Sequence, residues 1–224
     1  MRKIHSPHKS GRYEDLAASW WQWAHSTSTS NPNNQFGDPN NPNPGIRAVD
    51  CGLNQLQRNV WFLAGTTFPP FTGVERTCTI PTGTSLFFPL LNAACDNLTP
   101  PTEGVTDPVV LGDCATGIID GVIITSLTAT VDGVPVAQDL TQFRVKSPPF
   151  TFTAVADNPF APQESPAGTG LAVSDGFYVL LTPMPPGEHI ISFGGSVQFV
   201  DENGMLQTFE TSVTYFITVQ PGRA

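Results

Sequence analysis

Charge is what this sequence is shortest of. Charged residues make up 13% of its 224 positions, about half the usual share of a soluble domain. Disorder couples high charge with low hydrophobicity, so a chain that is 39% hydrophobic is not disordered as a whole. Long apolar runs are also missing, and none approaches the roughly 18 residues of a membrane-spanning helix; no membrane span is expected. The stretch from Met1 to His8 is polar and lacks a signal-peptide core. The protein is therefore either internal or a mature exported form carrying an added initiator Met. Familiar catalytic signatures are absent too. There is no GxSxG elbow, HExxH helix, Walker loop or Rossmann glycine fingerprint, and no cofactor is implied.

Turn residues and β-formers are plentiful. Gly and Pro number 20 and 22, and Phe, Val, Ile and Thr are common between them. Short strands joined by many turns account for that mixture, which points to an all-β architecture. The net charge of −9 is unevenly placed. Arg2, Lys3, Lys9 and Arg12 fall in a start without acids. From Tyr13 onward six basic residues face nineteen acidic ones, a balance of −13. Such a body repels phosphate backbones, so no nucleic-acid partner is expected. Residues 1–12 read as a flexible basic arm.

Cysteines number four, Cys51, Cys78, Cys95 and Cys114. They form no CxxC knuckle and have no histidine at ligand spacing, so no metal site is expected. An even set in one stretch reads as two disulfides and hence as an oxidising, extracellular or cell-surface setting. Of the three connectivities, Cys51–Cys78 with Cys95–Cys114 is preferred, since each joins sequence neighbours across a loop-rich segment.

Residues 13–25 (YEDLAASWWQWAH) form the one evident helix. Glu14 and Asp15 suit the positive end of its dipole, and Leu16, Trp20 and Trp23 make an apolar stripe. The Asn/Pro-rich segment 26–46 follows, and its prolines forbid regular structure. Strand-like runs then recur, among them Val60–Ala64, Arg76–Ile80, Ser85–Leu91, Phe150–Ala154, Gly176–Leu181, His189–Phe193 and Val197–Val200. Pro89 marks an edge or a bulge, and 96–113 reads as a loop. Asp132-Gly133 and Asp201 to Gly204 are turn signals. From Thr208 to Val219, Phe209, Thr211, Val213, Tyr215, Ile217 and Val219 share one face. The expectation is a single domain, 13–220: an antiparallel β-sandwich, jelly-roll or immunoglobulin-like, with one N-terminal helix.

Candidate chemistry is thin. His5 and His8 lie in the arm, His25 at the helix end reads as a cap, and His189 reads as a hairpin edge. Asp50, Glu75, Asp96, Asp120 and Glu188 are candidates for a hydrolytic carboxylate pair, although their setting near turns suits plain loop solvation. Arg76 and Arg144, in strand-like runs, are expected to pair with carboxylates of their own fold. The tryptophans are the sharper candidates. Trp21 sits about 100° from Trp20 around the helix, at the margin of the buried stripe. With Trp20 and Trp23 it offers aromatic faces for sugar stacking, and loop amides such as Asn34 offer hydrogen bonds to hydroxyls. The plainer reading is that the loop covers Trp21 and completes the core.

The order WWQWAHS, DCGLNQ, VWFLAGT, ERTCTIPTGTSLFFPLLN, FRVKSPPF, DGFYVLL and PPGEHIISFGG resembles a family of secreted prokaryotic β-rich proteins without an assigned activity. The resemblance covers about Tyr13 to Val219 and implies export and a disulfide-bearing β fold; it brings no catalytic residues. The resulting expectation is a non-catalytic extracellular binding or surface-assembly module, with a polysaccharide or cell-surface partner and a possible homo-oligomeric form. The alternative is a secreted polysaccharide hydrolase.

Overall fold

The computed structural model describes Ile4 and residues 12–37, 46–66, 72–160, 166–201 and 203–221. The expected arm, residues 1–12, lies outside them apart from Ile4 and Arg12, as does 38–45 of the Asn/Pro segment. Helix α1 spans Arg12–His25, with Glu14 and Asp15 in its first turn as the dipole favours. The strands in chain order are β1 (Ile46–Ala48), β2 (Val60–Phe62), β3 (Val74–Pro81), β4 (Ser85–Asp96), β5 (Ile123–Val131), β6 (Val134–Pro135), β7 (Arg144–Lys146), β8 (Phe150–Ala154), β9 (Gly168–Leu181), β10 (Gly187–Val200) and β11 (Leu206–Gln220). The protein is mostly β and forms two sheets. One runs β1-β3-β11-β10-β5-β6, and the other β2-β4-β9-β7 with β8 also on β9.

Two features depart from the sequence expectation. The sheets are mixed, because β1 and β11 both pair with β3 in parallel and β2 pairs with β4 in parallel. Alternation of apolar residues decides which face of a strand is buried, not which way a distant partner runs. These three pairs are not hairpins, so no tight turn imposes antiparallel pairing. The second departure is helix α2, Pro108–Asp120, inside and beyond the segment read as a loop. Its interior is rich in Val, Ile, Gly and Thr, all poor helix formers. Its start is nonetheless well specified: Asp107 caps it by accepting from the Val109 N–H at 2.8 Å, and Pro108 opens the first turn. Leu111, Ala115 and Ile119 form its buried stripe.

Both helices lie against the smaller sheet, α1 on β7, β8 and β9, and α2 on β4 and β9. That sheet is consequently covered on both faces, which is why β9 is buried without alternation from Ala172 to Leu181. Strand β11 has one solvated face and alternates, with Val213, Tyr215, Ile217 and Val219 inward. Between the sheets Phe88 stacks on Phe193 with ring centroids 4.2 Å apart, and Phe193 in turn lies parallel to Tyr215 at 6.0 Å.

Strand β10 runs straight through Gly194-Gly195, joining two runs that the sequence separates. A side chain at Gly195 would meet Leu91 Cγ at 2.6 Å, so only hydrogen fits there. The two disulfides are Cys51–Cys78 and Cys95–Cys114, the expected pairing; the first joins the segment after β1 to β3 and the second joins β4 to α2.

Candidate functional site

The three tryptophans of α1 are buried, with 3%, 8% and 1% of Trp20, Trp21 and Trp23 exposed. Each indole N–H has an internal acceptor. Trp20 donates to the Leu63 carbonyl and Trp23 to the Leu53 carbonyl, both at 3.0 Å. Trp21 donates to the Tyr178 hydroxyl at 3.2 Å, and its ring lies 5.1 Å from that of Phe160. Trp23 packs on Phe36 of the Asn/Pro segment and on Phe62, inside the core.

Asn34 is buried as well. Its amide donates to the Thr29 and Asn31 carbonyls and accepts from the Gly37 N–H, so it braces its own loop. The hydrogen-bonding groups that were candidates for reading a sugar are thus engaged within the fold.

The edges of Trp20 and Trp21 nevertheless line something. Together with Phe36 and Phe160 they wall one side of a cavity of about 490 Å³ lined by both helices and by strands of both sheets. Leu91 to Ala94 of β4 form another wall, the end of α2 contributes Ile118 and Ile119, and β10 and β11 contribute Phe199, Phe209 and Thr211. A volume of this size falls within the range of small-molecule sites. Its place follows from local backbone. The register of β4 against β9 shifts between Pro89 and Leu91, the bulge that Pro89 foreshadowed, although β4 is an inner strand rather than an edge.

Among the described lining residues none is acidic, basic or histidine. The polar side chains are Thr66, Asn92 and Thr211. Asn92 is held from behind, since its Nδ2 donates at 3.3 Å to the same Tyr178 hydroxyl that accepts from Trp21. Burial pushes that phenol up to about 12, so it stays protonated across the physiological range.

The candidate carboxylates lie elsewhere and have local work. Asp50 accepts from the Gly52 N–H, Asp96 from Leu98 N–H and Thr99, and Glu188 from Thr218. Glu75 sits on β3 in register with Ile46 and Thr214. Asp120 pairs with Arg144 at 2.6 Å. Arg144 also clamps buried Asp175 with two parallel bonds of 3.0 and 2.9 Å, as expected of an arginine paired inside its fold. These contacts hold its guanidinium firmly protonated.

Arg76 departs from that expectation. Its buried guanidinium donates to the Ala64 and Gly65 carbonyls and to the Tyr215 hydroxyl, and lies 5.3 Å above the Tyr215 ring. Among the described residues it has no carboxylate partner. Burial raises the Tyr215 phenol, and the nearby Arg76 charge opposes that rise.

His25 does not act as a cationic cap. It is buried and stacked on Phe152 at 4.2 Å, and burial lowers it to about 4, so the ring is neutral. His189, at the start of β10, faces Asp132 through Nδ1 at 3.1 Å and the Pro185 carbonyl through Nε2 at 2.9 Å. Both contacts are structural ties at a hairpin end. Among the described residues no three His, Cys, Asp or Glu side chains converge, and no helix is long and apolar enough to cross a membrane.

Sequence reasoning found Trp20 and Trp21 but missed Asn92, Thr66, Thr211 and the α2 residues. The one available signal was Pro89 beside Leu91 and Asn92. No family model matches the chain, and neither the curated proteins nor the solved structures contain a match.

Proposed function

We propose that this protein is a non-catalytic binding module whose site is the cavity lined by α1, α2, β4, β10 and β11. The carrying observation is the composition of its described wall, aromatic and aliphatic with three uncharged polar side chains and no titratable group. General acid–base and nucleophilic catalysis need groups that take and give protons, and such a wall supplies none. Asp50, Asp96, Asp120 and Glu188 are engaged by neighbouring groups and none of the candidate carboxylates lines the cavity, which does not favour the hydrolase alternative.

Internal use of the Trp21 N–H and the Asn34 amide argues against sugar stacking at α1. A mainly apolar ligand is therefore preferred over a polysaccharide. The two disulfides point to an oxidising setting; extracellular or cell-surface residence, and kinship with the secreted family named above, belong to the same reading. So does the view of the facing sheets as a sandwich of jelly-roll or immunoglobulin-like architecture. The assembly variant would need strand edges to pair between chains. Edge strands β1, β2, β6 and β7 each span three residues or fewer and β8 spans five, so they offer little backbone for it.

The test is titration with N-phenylnaphthylamine, a neutral apolar fluorophore, while exciting the tryptophans. Saturable one-to-one binding with energy transfer from Trp20 and Trp21 is expected, and the cavity-filling substitution Ala94→Phe should abolish it. Release of reducing ends from a polysaccharide panel would overturn the non-catalytic reading. Absence of saturable binding by folded protein would overturn the site.

A further inference from the structure

The polar groups in the cavity wall narrow the ligand. Resting on the reading of the cavity as a binding site, we propose that it takes a neutral, mainly apolar molecule bearing a hydroxyl group, recognised by the Asn92 side-chain oxygen and the Thr66 hydroxyl. Asn92 is oriented by the bond from its Nδ2 to Tyr178, which leaves its Oδ1 as the acceptor still to be met. No described residue donates to that oxygen. Thr66 Oγ1 is buried, has no hydrogen-bond partner among the described residues, and belongs to the same wall. Buried polar atoms are rarely left unmet, and one that lines a cavity is a place for a ligand atom or an ordered water.

The match follows from donor and acceptor counting. An amide oxygen can only accept, whereas a threonine hydroxyl can do both. A ligand hydroxyl donates to the first and accepts from the second. A ketone or ether has no proton for Asn92. A carboxylate finds no cation in the described wall and an ammonium no anion, and an unpaired buried charge is expensive. Sugars fail for the opposite reason, because three polar side chains cannot meet a ring of hydroxyls and each one left over loses affinity. The volume, about 490 Å³, lies in the range of small-molecule sites and suits a medium-chain or alicyclic alcohol.

The experiment displaces N-phenylnaphthylamine from the wild-type protein near neutral pH with four ligands of one chain length: decanol, its methyl ether, decanoate and decylammonium. Decanol should bind about tenfold more tightly than the ether, the worth of one buried hydrogen bond. Both ions should bind weaker than decanol by about a hundredfold or more. Asn92→Ala should narrow the gap between alcohol and ether while leaving ether affinity unchanged, whereas Thr66→Val should weaken alcohol and ether alike, because the oxygen of either accepts from the threonine hydroxyl. The ligand series needs no variant, so a substitution that impairs folding does not remove the test. If the fluorophore binds but alcohol, ether and ions compete equally, the hydroxyl assignment falls and the cavity reading stands. If the fluorophore itself does not bind, both fall.

Discussion

The indole N–H of Trp21 donates to the hydroxyl of Tyr178 at 3.2 Å, joining α1 to the C-terminal part of β9 through two buried rings. The bond does two things at once. It gives the buried indole an acceptor, and it fixes the hydroxyl to which Asn92 is tethered. Trp21→Ala should cost about 3–5 kcal/mol of stability, the range for emptying a large aromatic site. Trp21→Phe keeps much of the ring contact and removes the donor, and should cost about 1–3 kcal/mol. Urea unfolding of the two variants tests this order; equal and negligible losses would show that Trp21 is not a core residue.

A pH dependence follows from His25. Its folded-state value of about 4 lies below the ordinary 6.5 because burial disfavours the cation. The unfolded chain therefore takes up the proton first as pH falls. Above about 6.5 both states are neutral and stability is unaffected. Between about 6.5 and 4 it declines, by an amount on the order of 3 kcal/mol. Melting temperature measured from neutral pH down to pH 4 should fall, and His25→Phe should flatten that part of the profile. Asp157, held near 2 chiefly by the Ser28 and Ser30 hydrogen bonds, begins to lose its contribution only as pH falls toward its unfolded value of about 4, so the part of the profile above about pH 5 reports His25.

The disulfides should matter unequally. By loop-closure entropy each is worth about 3–4 kcal/mol. Cys51–Cys78 ties two segments that already meet, since Val49 N–H bonds to the Thr77 carbonyl beside it. Cys95–Cys114 instead pins α2, whose own buried cluster is small: Cys95, Leu111, Ala115 and Val173. Replacing Cys95 and Cys114 by Ala should speed amide exchange across 108–120 and weaken fluorophore binding, because Ile118 and Ile119 are part of the cavity wall. Replacing the other pair should lower the melting temperature while binding persists.

Much of the fold was legible because its signals are local. The α1 stripe of Leu16, Trp20 and Trp23, the turn pair Asp132-Gly133 with both residues at positive φ, and disulfides between sequence neighbours all declare themselves within a few tens of residues. Helix α2 did not, since its Val, Ile and Gly content contradicts the state imposed by packing on β4 and β9. The parallel pairing of β3 with β11 was invisible for want of a connecting turn. The cavity was least legible of all. Trp20, Thr66, Asn92, Ile119 and Thr211 come from five separate stretches, and only the two-sheet packing makes them neighbours. Position on the helix wheel located Trp21 at the margin of the stripe; whether solvent, Tyr178 or Phe160 lay beyond that margin is a long-range contact.

Arg144 supplies a test of how the sheet and α2 are held in register. It clamps Asp175 of β9 with two bonds and reaches Asp120 at the end of α2 with a third. Asp175 has only 4% of its side chain exposed, whereas 59% of Asp120 is solvated. Removing the arginine therefore strands one buried carboxylate and merely frees the other. Arg144→Met should destabilise by about 3–5 kcal/mol, the cost of leaving a buried charge unpaired. Asp120→Asn should cost less than about 1 kcal/mol, as for exposed ion pairs. The double change Arg144→Met with Asp175→Asn should recover part of the loss, since no buried charge is then left. Thermal unfolding of the three variants decides it: a single substitution at Asp120 as damaging as that at Arg144 would assign the clamp to the helix end instead of to β9.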